Sequence, residues 1–458
     1  MLETQAIFLT DSQQKAESIE HRDKIRFNIS KYDQTVDNGV KQYANLNLAR
    51  ERSKIIKWRA IEDLDQTLIR FESNFTKNGG KVIWAKDKDE ALREIQKIVK
   101  AKKAKSIVKS KSMTTEEIEL NHYLEKMGTE VFETDLGEFI VQLLGEKPYH
   151  IVTPAMHKSK DDVGKLFNER FGTPLNASAE ELTLIARDIL RDKYLNAEIG
   201  ITGGNFIIAD EGAIAITENE GNARLTTAYP KTHIAVIGIE KIVSNLKDIA
   251  HFWPLLATFG TGQKITAYNT LFFGPKKPDE IDGPEEMYVI LLDNGRSDLL
   301  AKADMRESLY CIRCGACLNA CPVYQNIGGH SYGTTYSGPI GSVISPHYKG
   351  MEEFKHLSFA SSLCGNCTQV CPVKINIHEL LMKNRKHAVN DGLSPMQEKW
   401  GIYFWKKAML SRKLINLIPS KIKQFGFKLI FKNTWTKNRA ELKFPKKSFN
   451  EQWKDRFK

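Results

Sequence analysis

The residues of this chain best suited to chemistry are its cysteines. All seven lie between positions 311 and 371 of 458 residues. The first group, CIRCGACLNACP (311–322), spaces Cys311, Cys314, Cys317 and Cys321 as C-x2-C-x2-C-x3-C-P. The second, SLCGNCTQVCP (362–372), supplies Cys364, Cys367 and Cys371. Three thiolates two residues apart let one short loop wrap an iron–sulfur cube and reach three of its irons. The fourth, followed by Pro, points away and ligates the other cube of a pair. One cluster then takes Cys311, Cys314, Cys317 and Cys371, and the other takes Cys364, Cys367 and Cys321. The pattern puts the eighth ligand at position 361, which is Ser361. The second site is therefore open to three readings: a three-iron cluster, a four-iron cluster with Ser, water or a partner's group as ligand, or a cluster with an open iron. Paired C-x2-C elements also mark zinc ribbons. A tetrahedral zinc takes only four ligands, however, and leaves the third Cys of the first group and the Cys-Pro pair unexplained. An odd number of Cys confined to one segment also argues against a disulfide framework and for a reduced compartment.

The elements that must position these loops are legible as changes of texture. Residues 1–76 are highly charged, with apolar residues at loosely helical spacing, and read as helices that pack onto the region downstream of them. From about 80, short β-rich runs alternate with helical ones. KVIWA (81–85), KSIV (105–108), EVFET (130–134) and HIVTP (150–154) read as strands, and 87–103 reads as a helix. Thr114 and Glu117 form a capping-box pattern that opens a further helix to about 127. Such alternation implies βαβ units and a mostly parallel sheet. FIIAD (206–210) and AIAIT (213–217), parted by Glu211-Gly212, read as a hairpin, ENEGNARL (218–225) as a polar loop, and HIAVIGI (233–239) as a buried strand. MYVILLDNG (287–295) reads as the last strand. The predicted division is a helical region 1–76, an α/β domain 77–300, a two-cluster domain 301–390 and a basic helical region 391–458.

Composition narrows the function. Hydrophobic residues make up 41% and charged residues 27%, an ordinary globular balance. The formal charge of +11 is local: residues 401–458 hold 16 Lys and Arg against three Asp and Glu, and the rest is nearly neutral. A near-neutral body argues against a nucleic-acid partner. No run of 18 apolar residues occurs, so no transmembrane helix is expected, and the N-terminus lacks the pattern of a secretory signal. The expected location is cytoplasmic. The tail is rich in Trp (Trp400, Trp405, Trp435, Trp453), and KLINLIPSKIKQFGFKLIFK (413–432) mixes basic with large apolar residues. It suits an anionic membrane surface, an acidic partner, or a cover over the cluster segment.

Weaker signals lie in the α/β region. GITGGN (200–205) fits no phosphate-loop spacing and reads better as a tight turn. Asn205, Glu220, Asn222 and Arg224 gather carboxylate, amide and guanidinium groups after the hairpin, a candidate anion or substrate site against the plainer reading of a self-satisfied loop. KSKS (109–112) precedes a helix start and reads equally as an anion site or a solvated charge run.

Taken together, ETDLGE (133–138), PAMHKS (154–159), GITGGNFIIADEGAIAITENEGNARL (200–225), DNGRS (293–297) and the two Cys motifs resemble the lactate utilization protein B family, from about residue 60 to 400. The resemblance implies a LUD domain of sugar-isomerase/CoA-transferase-like fold, then an α-helical ferredoxin-type domain with two [4Fe-4S] clusters. It implies the same ligand sets, with seven Cys. It implies an electron-transfer subunit that works with lactate utilization proteins A and C to oxidise L-lactate to pyruvate, delivering electrons to an unidentified acceptor. Two rivals remain. In one, the LUD domain binds lactate near Asn205, Glu220 and Arg224, and the clusters serve as its own wire. In the other, the chain is a redox-sensing scaffold.

Overall fold

The computed structural model describes residues 2–431 and 439–457. Residues 1–387 form one compact unit and 388–458 a second. The strands are β1 (Lys81–Ala85), β2 (Ser106–Lys109), β3 (Glu130–Glu133), β4 (Ile199–Thr202), β5 (Phe206–Ile208), β6 (Ala213–Glu218), β7 (Thr232–Gly238), β8 (Ile242–Val243), β9 (Tyr268–Phe272) and β10 (Glu286–Leu292).

Six strands form a wholly parallel sheet in the order β1-β10-β7-β4-β2-β3. The central strand β7, Thr-His-Ile-Ala-Val-Ile-Gly, is buried at every residue, the continuous apolar run expected when helices cover both faces. The predicted hairpin is present, with Ile207 opposite Ile214. It sits in a second, four-stranded sheet, β8-β5-β6-β9. Gly200 of β4 has a specific duty: a Cβ there would stand 1.9 Å from the carbonyl oxygen of Thr226. The helix Asn222–Ala228 therefore lies directly on the strand.

Three local expectations are corrected. Residues 218–225 are not one loop: Glu218 ends β6, and its carboxylate accepts the N–H groups of Ala223 (2.7 Å) and Arg224 (3.1 Å), capping the helix that starts at Asn222. Residues 150–154 are not a strand. His150 Nδ1 accepts the N–H groups of Val152 (3.1 Å) and Thr153 (3.3 Å) and bends the chain. The helix after β2 is capped by Ser112, which accepts the N–H of Thr115, because Glu117 turns inward. That helix, Met113–Glu117, breaks at Glu119 (φ 54°) before Leu120–Lys126.

The N-terminal helices Glu3–Glu17, Ile19–Gly39, Leu46–Glu62 and Leu64–Lys77 pack inward as expected. Phe8 meets the rings of Tyr332 and His356. Phe71 and Phe75 are fully buried in the core that runs through the second sheet to the cysteine loops. In residues 388–458 the helices are Met396–Leu410, Arg412–Leu417, Ser420–Phe431 and Phe449–Arg456, with Trp400, Phe404, Trp405 and Leu429 exposed. Trp435 lies outside the described residues.

Glu117 turns inward to a fully buried guanidinium. Arg296 donates Nη1 and Nη2 to the two oxygens of Glu117 (3.0 and 2.8 Å) and Nε to Glu240 (2.5 Å). Tyr336 and Asn294 each add a bond of 2.6 Å to Glu117. Burial alone would raise both carboxyls, but Arg296 holds Glu117 below its ordinary range and Glu240 down at about 2. Replacing one partner of such a pair strands the other. Arg296→Met should therefore cost about 3–5 kcal/mol in urea unfolding at neutral pH. Because both folded-state values are depressed, the contribution is complete above the ordinary carboxyl range and is lost as pH falls toward about 2. The gap between wild type and variant should close over that window.

Candidate functional site

The two cysteine loops repeat one backbone. In the first, Arg313 (φ 61°) and Gly315 (φ 82°) take left-handed conformations before the short helix Ala316–Asn319. In the second, Leu363 (φ 56°) and Gly365 (φ 84°) do the same before Asn366–Val370. The N–H of Arg313 donates to Cys311 Sγ at 3.4 Å, and the N–H of Leu363 donates to Ser361 Oγ at 3.1 Å. Ser361 thus stands in the second loop where Cys311 stands in the first. A side chain at Gly315 would press on Ile151, Val152 and His150 at 3.1–3.3 Å, so the bend at 150–153 is packed against the first loop.

The sulfurs divide into a set of four and a set of three. Cys314, Cys317, Cys367 and Cys371 are buried, Cys311 and Cys321 half-buried, and Cys364 exposed. Burial pushes the thiols up, Cys371 to about 12 and Cys367 to about 11, with Cys314 and Cys317 likewise well above the ordinary thiol range. Neighbouring sulfurs add to this. Cys317 feels Cys311, Cys314 and Cys371, whereas Cys367 feels Cys321 and Cys364. Thiols so raised would ionise only beside a strong positive centre. The four sulfurs of the first set share a small apolar cavity walled by Ile312, Leu318, Ile340 and Val373.

Spacing distinguishes a cage from a single ion. A tetrahedral zinc with bonds of about 2.3 Å needs sulfurs about 3.8 Å apart. Among the described residues, the one group of three or more such ligands whose atoms all lie within 4.8 Å of one another is Glu146, His157 and His330. No three of the sulfurs lie that close. The cradle of four suits a larger, multi-iron body.

A helix from the N-terminal region clasps the second loop. Arg50 donates Nε (3.0 Å) and Nη2 (2.7 Å) to the carbonyl of Cys371, and Nη2 again to Gln369 O (2.6 Å). One turn on, Lys54 pairs with Glu307 (2.5 Å) and reaches Lys374 O (3.1 Å). The fully buried Lys57 donates to the carbonyls of Glu240 (2.5 Å) and Ile242 (3.1 Å).

Beside the first loop lies a cavity of about 400 Å³. Asn205, Glu220 and Asn222 line it, with Lys111, Lys241, Arg313 and Cys314. Arg224 is not among its lining residues; its guanidinium lies over the ring of Tyr268 at 5.2 Å. Glu220 is raised by burial and by Asp135, and accepts the N–H of Leu136 (3.3 Å). The KSKS run is not a solvated charge run: Lys109 is buried on Glu133 (2.7 Å), and Lys111 pairs with Asp135 (2.7 Å) at the cavity wall, which Ser110 and Ser112 also line. Gly203 and Gly204 pack tightly, since a Cβ on either would come within 2.6 Å of Ser112 or Ile237. Sequence reasoning missed Arg313 and Lys241. Arg313 carried a signal, as the one charge inside a cysteine loop. Lys241 carried none.

Residues 68–292 match the LUD domain family, and residues 307–375 match the 4Fe-4S dicluster domain family. A LUD domain joined to a dicluster domain defines an iron–sulfur protein. Lactate utilization protein B of Bacillus cytotoxicus is 46% identical over 369 residues, covering 80% of this chain and 78% of that protein, and its Bacillus thuringiensis counterpart is 45% identical over the same share. The chain belongs to the lactate utilization protein B family. A solved structure of a DUF162 family protein from Deinococcus radiodurans aligns with 50% of this chain and 98% of its own at 14% identity, with a TM-score of 0.29, too loose a likeness to carry an argument.

Arg50→Ala should release the Cys371 carbonyl without touching a sulfur. The expected outcome is several-fold faster loss of visible absorbance when the anaerobic protein meets an iron chelator.

Proposed function

We propose that this chain is the iron–sulfur electron-transfer subunit of a system that oxidises L-lactate to pyruvate. It would work with lactate utilization proteins A and C and deliver electrons to an acceptor of unassigned identity. The observation that carries this reading is the crossed division of the sulfurs. Residues 301–390 would form the cluster domain and 77–300 the LUD domain. Cys311, Cys314, Cys317 and Cys371 would hold one four-iron cluster, and Cys321, Cys364 and Cys367 three irons of the second. Such a pair, when bound, accepts and passes single electrons. The chain's own part is to exclude water from the first set, to hold Cys371 through Arg50, and to leave Cys364 at the surface as an exit.

Ser361 is our fourth ligand for the second cluster, because it repeats the backbone placement of Cys311. Among the described residues no helix is long and apolar enough to cross a membrane, and a cytoplasmic chain whose basic tail touches membrane or partner fits that. A second reading has an observation of its own: the 400 Å³ cavity has Cys314 in its wall, which favours substrate binding on the LUD domain itself.

Anaerobic purification with iron and sulfide counting should return about eight irons per chain, the content of two four-iron clusters. Stoichiometric zinc, or a colourless folded protein, would overturn the assignment. Ser361→Cys should keep that count while shifting the low-temperature EPR signal of one cluster only. Cys371→Ala should cost the signal of the other.

A further inference from the structure

The wall between the cavity and the four-sulfur cradle carries two cations, Lys241 and Arg313, that share one carboxylate, Glu240. Lys241, in the turn from β7 to β8, is buried and lines the cavity. Among the described residues its ammonium has neither hydrogen bond nor ion pair. Arg313 lies beside it with its side chain 9% exposed and its guanidinium 4.4 Å from the centre of the Tyr336 ring. Its Nε and Nη1 have no hydrogen-bond partner, and only Nη2 approaches a carboxylate, Glu240 at 3.6 Å. Glu240 already serves Arg296 through its other oxygen. Buried donors left unpaired are costly, and buried unpaired charge more so.

The nearby acids do not fill the need. Asp135 is held by Lys111, and Glu218 is held by the helix start it caps. Nor does the cradle claim both cations: Arg313 lines cavity and cradle alike, but Lys241 lines only the cavity. Glu240 is shared by Arg296, Arg313 and Lys241, so an incoming anion would complete the wall. A guanidinium edge and an ammonium together suit a carboxylate. The amides of Asn205 and Asn222 and the hydroxyl of Ser112 line the same space and suit a hydroxyl or carbonyl one carbon away.

We propose that Lys241 and Arg313 bind the carboxylate of a small 2-hydroxy or 2-oxo acid in this cavity, against the loop of the first cluster. This deepens the second reading above and rests on the chain's serving lactate oxidation. It replaces Arg224 with two residues from other parts of the chain.

The test is calorimetric titration of the full, cluster-loaded chain with L-lactate and with pyruvate, using lactamide as the uncharged control. Wild type should bind at least one acid and not the amide. Lys241→Gln and Arg313→Lys should each weaken binding by about tenfold or more, the loss expected when a charged hydrogen-bonding partner is removed, with iron and sulfide per chain unchanged. A fully loaded wild type that binds neither acid overturns the proposal, as does equal binding of lactamide or a Lys241→Gln variant that binds normally. Should Arg313→Lys lose iron, Lys241→Gln decides alone. A preparation without iron that still binds acid through Lys241 would support the site while overturning the electron-transfer reading.

Discussion

Arg296 stands where several separate pieces of chain meet, and its hydrogen bonds decide how they meet. It follows β10, and takes Glu117 from the short helix after β2 and Glu240 from the turn after β7. Tyr336, from the cysteine segment, joins on the same carboxylate. A buried charge accepts only a site that satisfies it on every side, so this contact fixes the carboxyl ends of three parallel strands against the cysteine segment. Gly238 answers the same demand: a Cβ there would stand 2.2 Å from Glu240 and 2.5 Å from Arg296.

Around that contact the interior is cationic. Lys57, Lys241, Arg296 and Arg313 are buried against Glu117 and Glu240. A cube carried by four thiolates is a net anion, so this imbalance suits its neighbourhood. It also separates the roles of two cations that sit close together: one borders the sulfurs, the other faces open space.

The chemistry of the chain was more legible in sequence than its scaffolding. The cysteines at fixed intervals announce an iron–sulfur segment, which the dicluster match over residues 307–375 bears out. The hairpin at 206–217 and the strand at 233–239 were legible because their burial is continuous. Elsewhere one long-range contact outweighed a local signal. Thr114 and Glu117 have capping-box spacing, but Glu117 is claimed by a partner 179 residues away. HIVTP has strand composition, but His150 bends it through its own ring. The loop at 218–225 became a helix because a strand-end carboxylate caps it. Arg224 looked like a clamp because nothing in the sequence places Tyr268 beneath it. Lys241 carried no signal in the sequence and became notable only once the structure set it in the cavity wall.

The grip of Arg50 on Cys371 spans 321 residues, and it ties the completion of the cysteine segment to the start of the chain. The ribosome delivers the helix 46–62 long before the second cysteine loop, yet both belong to one compact unit. The last sulfur of the first set therefore meets its clasp only when that unit closes as a whole. A polypeptide cut short at its beginning would present every thiol yet lack the hand that closes the cage, and metal loaded onto it would escape.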